Sequence, residues 1–160
     1  MNVRRAQPED AGTVAELLDE ATRWVNELGY EQWPLPFPRD ELAAAIDRAE
    51  VFVMEDEGDA VATVTLLSED RPYWGERPPD AFYVHKLAVR RDRSGRGIGA
   101  AIVAWANAEA LEAGRDFLRL DCLRDNPAIR DYYEHLGFEH RGDLILAGRP
   151  MSLYERAVRP

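Results

Sequence analysis

The order of hydrophobic patterns predicts a mixed α/β (α+β) fold: a mostly antiparallel sheet of six to seven strands flanked by four helices. Three observations carry that prediction. Strand-like and helix-like periods succeed one another as β-α-α-β-β-β-α-β-α-β-β. A buried strand, a glycine loop, a helix and a second strand follow directly in the middle of the chain, which is the signature of a βαβ unit. The length, 160 residues, suits one domain with one sizeable core, so residues 1–160 are expected to form a single domain.

Each element has its own warrant. Asn2–Ala6 reads as a short strand. Pro8 opens a helix to Leu28, in which Val14, Leu17, Leu18, Ala21, Trp24, Val25 and Leu28 recur at helical spacing and Gly29 is placed to stop it. Trp33-Pro34-Leu35-Pro36-Phe37-Pro38 cannot continue a helix and is expected as a stiff, partly apolar loop. Arg39–Ala49 is a second, short helix. Val51–Glu55 and Ala60–Ser68 form a hairpin around the acidic turn Asp56-Glu57-Gly58-Asp59. Arg71–Pro79 is a second aromatic loop, either packed on the core or walling a pocket. Ala81–Val89 is a largely buried strand through Phe82, Val84, Leu87 and Val89, and its change of parity predicts a bulge. After Gly99 a helix runs to Ala113, with Ile98, Ile102, Trp105 and Ala106 on one stripe. Phe117–Leu123 is a strand. Asn126 as N-cap and Pro127 at the first helical position start a helix to Leu136, which Gly137 ends. Phe138–Leu146 and Met151–Arg156 complete the sheet.

Composition bounds the function. Thirty acids against 20 bases argue against a general nucleic-acid binder. The charge is uneven: in residues 1–80, 19 acids face 7 arginines for a net −12, whereas 13 bases face 11 acids in residues 81–160. The basic excess is densest at Arg90, Arg91, Arg93 and Arg96, which points to an anion beside an acidic half that would draw a cation. A merely solvated acidic surface is the plainer reading of that half. No apolar run approaches a membrane span, and the N-terminus lacks a signal peptide's apolar stretch, so no membrane partner and a cytoplasmic location are expected. A single cysteine, Cys122, excludes an internal disulfide and any CxxC motif, and sits where a core residue would. His135 and His140 have no metal-ligand spacing, so no metal is expected.

The run Arg93-Ser94-Gly95-Arg96-Gly97-Ile98-Gly99 lies between a strand and a helix. Its glycines allow tight turning and close ligand approach, and the following helix start offers unpaired N–H groups to an anion. It lacks the GK[ST] of a P-loop and the GxGxxG of a dinucleotide fold. With Tyr83-Val84-His85-Lys86-Leu87-Ala88-Val89 before it, the loop resembles motif A of the GNAT superfamily of acyl-CoA-dependent N-acyltransferases. Asn126 to Phe138, with Tyr133 seven residues after Asn126 and then Gly137-Phe138, resembles that family's motif B. The element order matches as well, so the resemblance covers nearly the whole chain. Ser94 departs from the Gln or Arg that family members often carry there, and Arg93 and Arg96 are candidates to supply the missing charge.

The resemblance implies an N-acetyltransferase with acetyl-CoA as acetyl donor and no metal. It implies that backbone groups of Leu87, Ala88 and Val89 pair with the pantetheine amides, and that Ser94, Gly95, Arg96, Gly97, Ile98, Gly99 and Ala100 receive the pyrophosphate. It places an oxyanion donor near Leu87 and the general acid at Tyr133. Asn126 is open to two readings, cofactor contact or N-cap alone. His85 is the candidate base, at the position of one of the paired histidines of arylalkylamine acetyltransferases, with Tyr83 in place of the other; Glu31 or Asp80 acting through water is a rival. Trp33, Phe37 and Tyr83 are candidate acceptor contacts, and a small cationic or aromatic primary amine is the expected acceptor. A protein N-terminus, an aminoglycoside, or a non-catalytic acyl-CoA sensor are the alternatives. A homodimer is compatible with the resemblance.

Overall fold

The computed structural model describes all 160 residues. Seven strands form one sheet in the order β1-β2-β3-β4-β5-β7-β6, where β1 is Asn2–Arg5, β2 Val51–Asp56, β3 Asp59–Leu67, β4 Ala81–Val89, β5 Phe117–Leu123, β6 Glu139–Leu146 and β7 Arg149–Ala157. β1 with β2, β2 with β3, β5 with β7 and β6 with β7 pair antiparallel; β4 and β5 pair parallel. A parallel pair needs a crossover, and helix α4 (Ile98–Glu112) supplies it, as the central βαβ pattern predicts. The other helices are α1 (Ala11–Glu27), α2 (Arg39–Asp47), the four-residue α3 (Arg71–Trp74) and α5 (Pro127–His135). No helix is long and apolar enough to cross a membrane.

The chain condenses into two compact units, each made of two stretches: Met1–Leu66 with Lys86–Val103, and Leu67–His85 with Ala104–Pro160. Strand β4 contributes to both. In the first unit Val14, Ala15 and Leu18 of α1 pack with Leu42 and Ile46 of α2, Val51 and Val53 of β2, and Ala88 of β4. Here the Trp/Pro-rich loop is anchored to the core by its aromatic side chains, while Pro34, Leu35, Pro36 and Pro38 stay exposed. Phe37 is buried within this cluster and Trp33 packs against it. The loop is held by Asp19 of α1, a buried carboxylate that accepts the Phe37 N–H at 2.8 Å and the Arg39 guanidinium at 3.0 Å.

In the second unit Trp74, Ala81 and Tyr83 form the core seen from β4, with Leu67, Phe117 and Leu153 around them. Two differences from the sequence reading appear. The first helix begins as a separate 3-10 turn, Pro8–Asp10, because the Asp10 carboxylate accepts the Gln7 N–H and binds Arg4. The second aromatic loop contains a helical turn, since Pro72 falls in its first turn, where a missing N–H costs nothing.

The parity of β4 also differs. The residues buried on it are Ala81, Tyr83, Val84 and Ala88, whereas Phe82, Leu87 and Val89 stay partly exposed. The interruption itself is present: Lys86 takes a left-handed φ of 50°, and pairing with β5 runs only over Ala81–Tyr83. One residue off the extended conformation turns the side chains after it to the other face.

Candidate functional site

The glycine loop belongs to the first unit. Arg91–Arg93 form a 3-10 turn, Ser94 is extended, and Gly95 and Gly97 take φ of 78° and 76°, which a side chain would strain. No atom lies within 4 Å of where a Cβ on either glycine would stand, so a ligand can approach the backbone there. The α4 ladder starts with the Ala101 N–H bonded to the Gly97 carbonyl, which leaves the amides of Ile98, Gly99 and Ala100 at the open helix end.

The arginines around it are not equivalent. Arg90 pairs with Asp92 at 2.7 Å, and that bond holds the Asp92 carboxyl below its ordinary range. Arg93 reaches Asp56 at 3.4 Å and Asp59 at 3.8 Å. Arg91 lies over the Trp24 ring, 3.7 Å from its centroid, while its backbone N–H donates to Glu20. Arg96 alone of the four is exposed with no ion pair. Arg90 and Arg93 are thus paired with carboxylates, while Arg96, and Arg91 stacked on Trp24, carry no ion pair; of these two Arg96 is the exposed one. Ahead of the loop, Lys86 stands 4.0 Å from Glu41 and over the Phe37 ring.

The second unit holds the titratable groups. Tyr133, on α5, is buried between Tyr132 and Phe138, whose ring centroids lie 5.4 and 5.8 Å away. Burial pushes its hydroxyl well above the ordinary tyrosine value, and the nearby Cys122, Tyr132 and Asp121 add to this. It stays protonated at any physiological pH, as a proton donor must. Asn126 caps α5, its side chain accepting the Ile129 N–H at 3.3 Å. Cys122 is buried, and burial followed by Asp121 pushes its thiol up to about 12, so it is inert at neutral pH.

His85 lies between two carboxylates that the sequence reading did not single out. Its Nε2 is 2.9 Å from Asp70 Oδ2, and its Nδ1 is 3.6 Å from Asp121 Oδ1. All three side chains are nearly buried, at 13%, 5% and 11% exposure for His85, Asp70 and Asp121. Tyr73 flanks the group, its ring centroid 6.2 Å from that of His85. Its hydroxyl is raised by burial and then by the negative charge of Asp121 and Asp70, which together outweigh Arg149.

Asp80, the rival base, is occupied elsewhere. Arg119 of β5, 2% exposed, donates to Asp80 at 2.9 Å, to Glu155 at 2.8 Å and to the Tyr83 hydroxyl at 3.0 Å. Burial alone would lower Arg119, but these three bonds outweigh it and hold the guanidinium firmly charged. Tyr83, expected at the acceptor, is thus a buried member of this network and packs edge-on against Trp74. Trp33 and Phe37 belong to the first unit's core and do not join it.

Asp121 and Arg119 carried a signal that could have been read. Phe117–Leu123 alternates, with Leu118, Leu120 and Cys122 on one face, so Arg119 and Asp121 are charges on the other face of a strand. Asp70 carried none, since it follows Ser68-Glu69 in what looks like a solvated turn.

Comparison with known proteins identifies the family. A family model described as an acetyltransferase (GNAT) domain matches residues 47–140. The chain is 33% identical over 142 residues to the uncharacterised N-acetyltransferase YesJ of Bacillus subtilis (strain 168), covering 84% of this chain and 79% of that one. It is 27% identical over 158 residues to the S-(2-succino)cysteine N-acetyltransferase of the same organism, covering 94% and 92%. Among solved structures, a GNAT-family acetyltransferase from Listeria monocytogenes 4b F2365 superposes with a TM-score of 0.82 at 27% identity, covering 98% of this chain and 94% of that one.

Proposed function

The chain belongs to the GNAT acetyltransferase family and is an acetyl-CoA-dependent acyltransferase, and from that premise we propose that it acetylates a small primary amine of cationic or aromatic character. The observation that carries this reading is the open glycine cradle of the first unit, and the buried, protonated Tyr133 of the second supports it. The cradle fits the donor: Gly95 and Gly97 leave backbone exposed where a phosphate would lie, the first amides of α4 follow, and Arg96 is unspent.

Bound acetyl-CoA supplies an acetyl thioester whose C–S bond breaks as the acceptor nitrogen bonds to the carbonyl carbon. Backbone groups of Leu87, Ala88 and Val89 orient the pantetheine arm as an added strand would be oriented, and Ser94 to Ala100 hold the phosphates. A backbone N–H near Leu87, where Lys86 turns the strand, donates to the oxygen that gains charge. His85 takes the proton that the acceptor ammonium must lose. Tyr133 gives its Oη proton to the departing sulfur and regains one from solvent, which also takes the second proton that the acylated nitrogen sheds. Asn126 shapes the start of α5, four residues before Arg130 and seven before Tyr133.

Two features favour a cationic or aromatic acceptor: the −12 of residues 1–80 and the carboxylates Asp70 and Asp121 beside His85. One relative is named as an S-(2-succino)cysteine N-acetyltransferase, so that compound belongs in the test. Free-thiol release from acetyl-CoA is measured with tyramine, spermidine, S-(2-succino)cysteine and an unblocked peptide, for the native protein and Tyr133→Phe. Turnover of a small amine, with kcat reduced on the order of 10²-fold in the variant, is expected. Binding of acetyl-CoA without turnover of any amine, or turnover of the peptide or of S-(2-succino)cysteine alone, would overturn the reading.

A further inference from the structure

We infer that Asp70 is a positioning residue for His85: it fixes the imidazole with its proton on Nε2, so that Nδ1 is the nitrogen that receives the acceptor's proton. This rests on the reading of His85 as the base and adds a residue and an atom to it.

Asp70 precedes α3, yet its side chain caps no amide there; the turn is closed by its carbonyl, which accepts the Trp74 N–H at 2.8 Å. A carboxylate in that position ordinarily faces water. This one is 93% buried and points at His85. Both facing atoms, Asp70 Oδ2 and His85 Nε2, are sealed from solvent and complete no hydrogen bond with any group. Their 2.9 Å separation is itself a hydrogen-bond distance. A buried carboxylate facing a buried nitrogen is costly unless a proton lies between them. The neutral imidazole therefore carries its hydrogen on Nε2.

Nδ1 is then bare. It sits 3.6 Å from Asp121 Oδ1, which is sealed from solvent as well but lies beyond hydrogen-bond distance, so Asp121 pulls on the ring proton less than Asp70 does at 2.9 Å. Asp121 offers a counter-charge to the ammonium while Nδ1 removes its proton, and the Tyr73 ring borders the same spot. The charged and titratable groups facing His85 are thus Asp70, Tyr73 and Asp121, with Arg149 acting on Tyr73 from β7.

The test reads the ring nitrogens of His85 directly by long-range ¹⁵N–¹H NMR of the full chain at pH 8.5, where unperturbed histidine is neutral. His85→Gln identifies its signals among the three histidines. The expected result is an Nε2–H tautomer in the native protein, a mixed or Nδ1–H tautomer in Asp70→Asn, and an unchanged tautomer in Asp121→Asn. An Nδ1–H or doubly protonated native ring would overturn the proposal, as would an unchanged tautomer in Asp70→Asn. So would His85 signals that shift with equimolar ZnCl₂ and return with EDTA, which would make the cluster a metal site. With an amine that turns over, Asp70→Asn is expected to lower kcat on the order of 10²-fold while the KM for acetyl-CoA stays put. Native turnover in His85→Gln would remove the base itself. Loss in His85→Gln with native turnover and tautomer in Asp70→Asn would remove only the role of Asp70.

Discussion

Replacing Arg119 by methionine tests the energetics of the second unit. Its guanidinium, 2% exposed, bridges Asp80 and Glu155 and donates to the Tyr83 hydroxyl among the rings of Trp74 and Phe117. Methionine keeps much of the apolar stem but strands the acceptors. Breaking one side of a buried ion pair costs about 3–5 kcal/mol, because the partner charge stays behind. Asp80, 27% exposed, can rehydrate. Glu155, 12% exposed, cannot do so fully, although Arg141 at 3.3 Å remains as a weaker partner. The loss therefore falls near the lower end, about 3 kcal/mol. With a urea m-value of about 2 kcal/mol/M, the unfolding midpoint drops by roughly 1.5 M with m unchanged. The melting temperature falls by about 6–12 °C. Adding Glu155→Leu removes the stranded charge and should restore at least half of the loss. A midpoint shift under about 0.5 M for the single variant would refute the reasoning, since the network would then be worth no more than an exposed pair.

Three other outcomes are expected. Arg96→Ala raises the KM for acetyl-CoA roughly 10-fold, the size of one charged hydrogen bond, while Arg90→Ala, whose guanidinium is spent on Asp92, leaves it unchanged; steady-state kinetics of both variants decide this. Iodoacetamide at pH 8 leaves Cys122 unlabelled in the folded protein and labels it in urea, because its thiol is pushed up to about 12; mass spectrometry reads both states. Asp10 has its carboxyl held below 3.8 by hydrogen bonds from Arg4, so its contribution to stability is present above 3.8 and fades as pH falls through the lower folded value. The stability gap between native protein and Asp10→Asn should accordingly be constant from pH 7 to 5 and close below about pH 4 in urea titrations.

The strands and helices were legible because their periods and stops are local. Asn126 with Pro127 and Gly137 bracket α5 as written, and the glycine loop sits where its composition requires. What escaped the sequence depended on partners far along the chain. Asp19 looks like one more acid on a helix, yet it is the buried anchor of a loop 18 residues away. Asp80 resembles a free base in a loop until Arg119, 39 residues on, is found to occupy it. Phe37 and Tyr83 have the side chains of a substrate pocket, but burial decides between pocket and core, and burial is a property of the assembled unit. The arginine cluster likewise loses two of its four members to carboxylates, Arg90 to Asp92 and Arg93 to Asp56 and Asp59, while Arg91 stacks on Trp24.

Strand β7 lies between β5 and β6 and hydrogen-bonds to both, although it follows them in the chain. During synthesis, β6 has no partner until β7 emerges, and β5 has one edge bare. A nascent chain stopped at the Ala147-Gly148 turn would carry two open strand edges, the kind of surface that invites aggregation or chaperone capture. Full-length product and arrested product should therefore partition sharply between soluble and insoluble fractions. Any tag or fusion placed beyond β7 then reports only on chains whose sheet has been able to close.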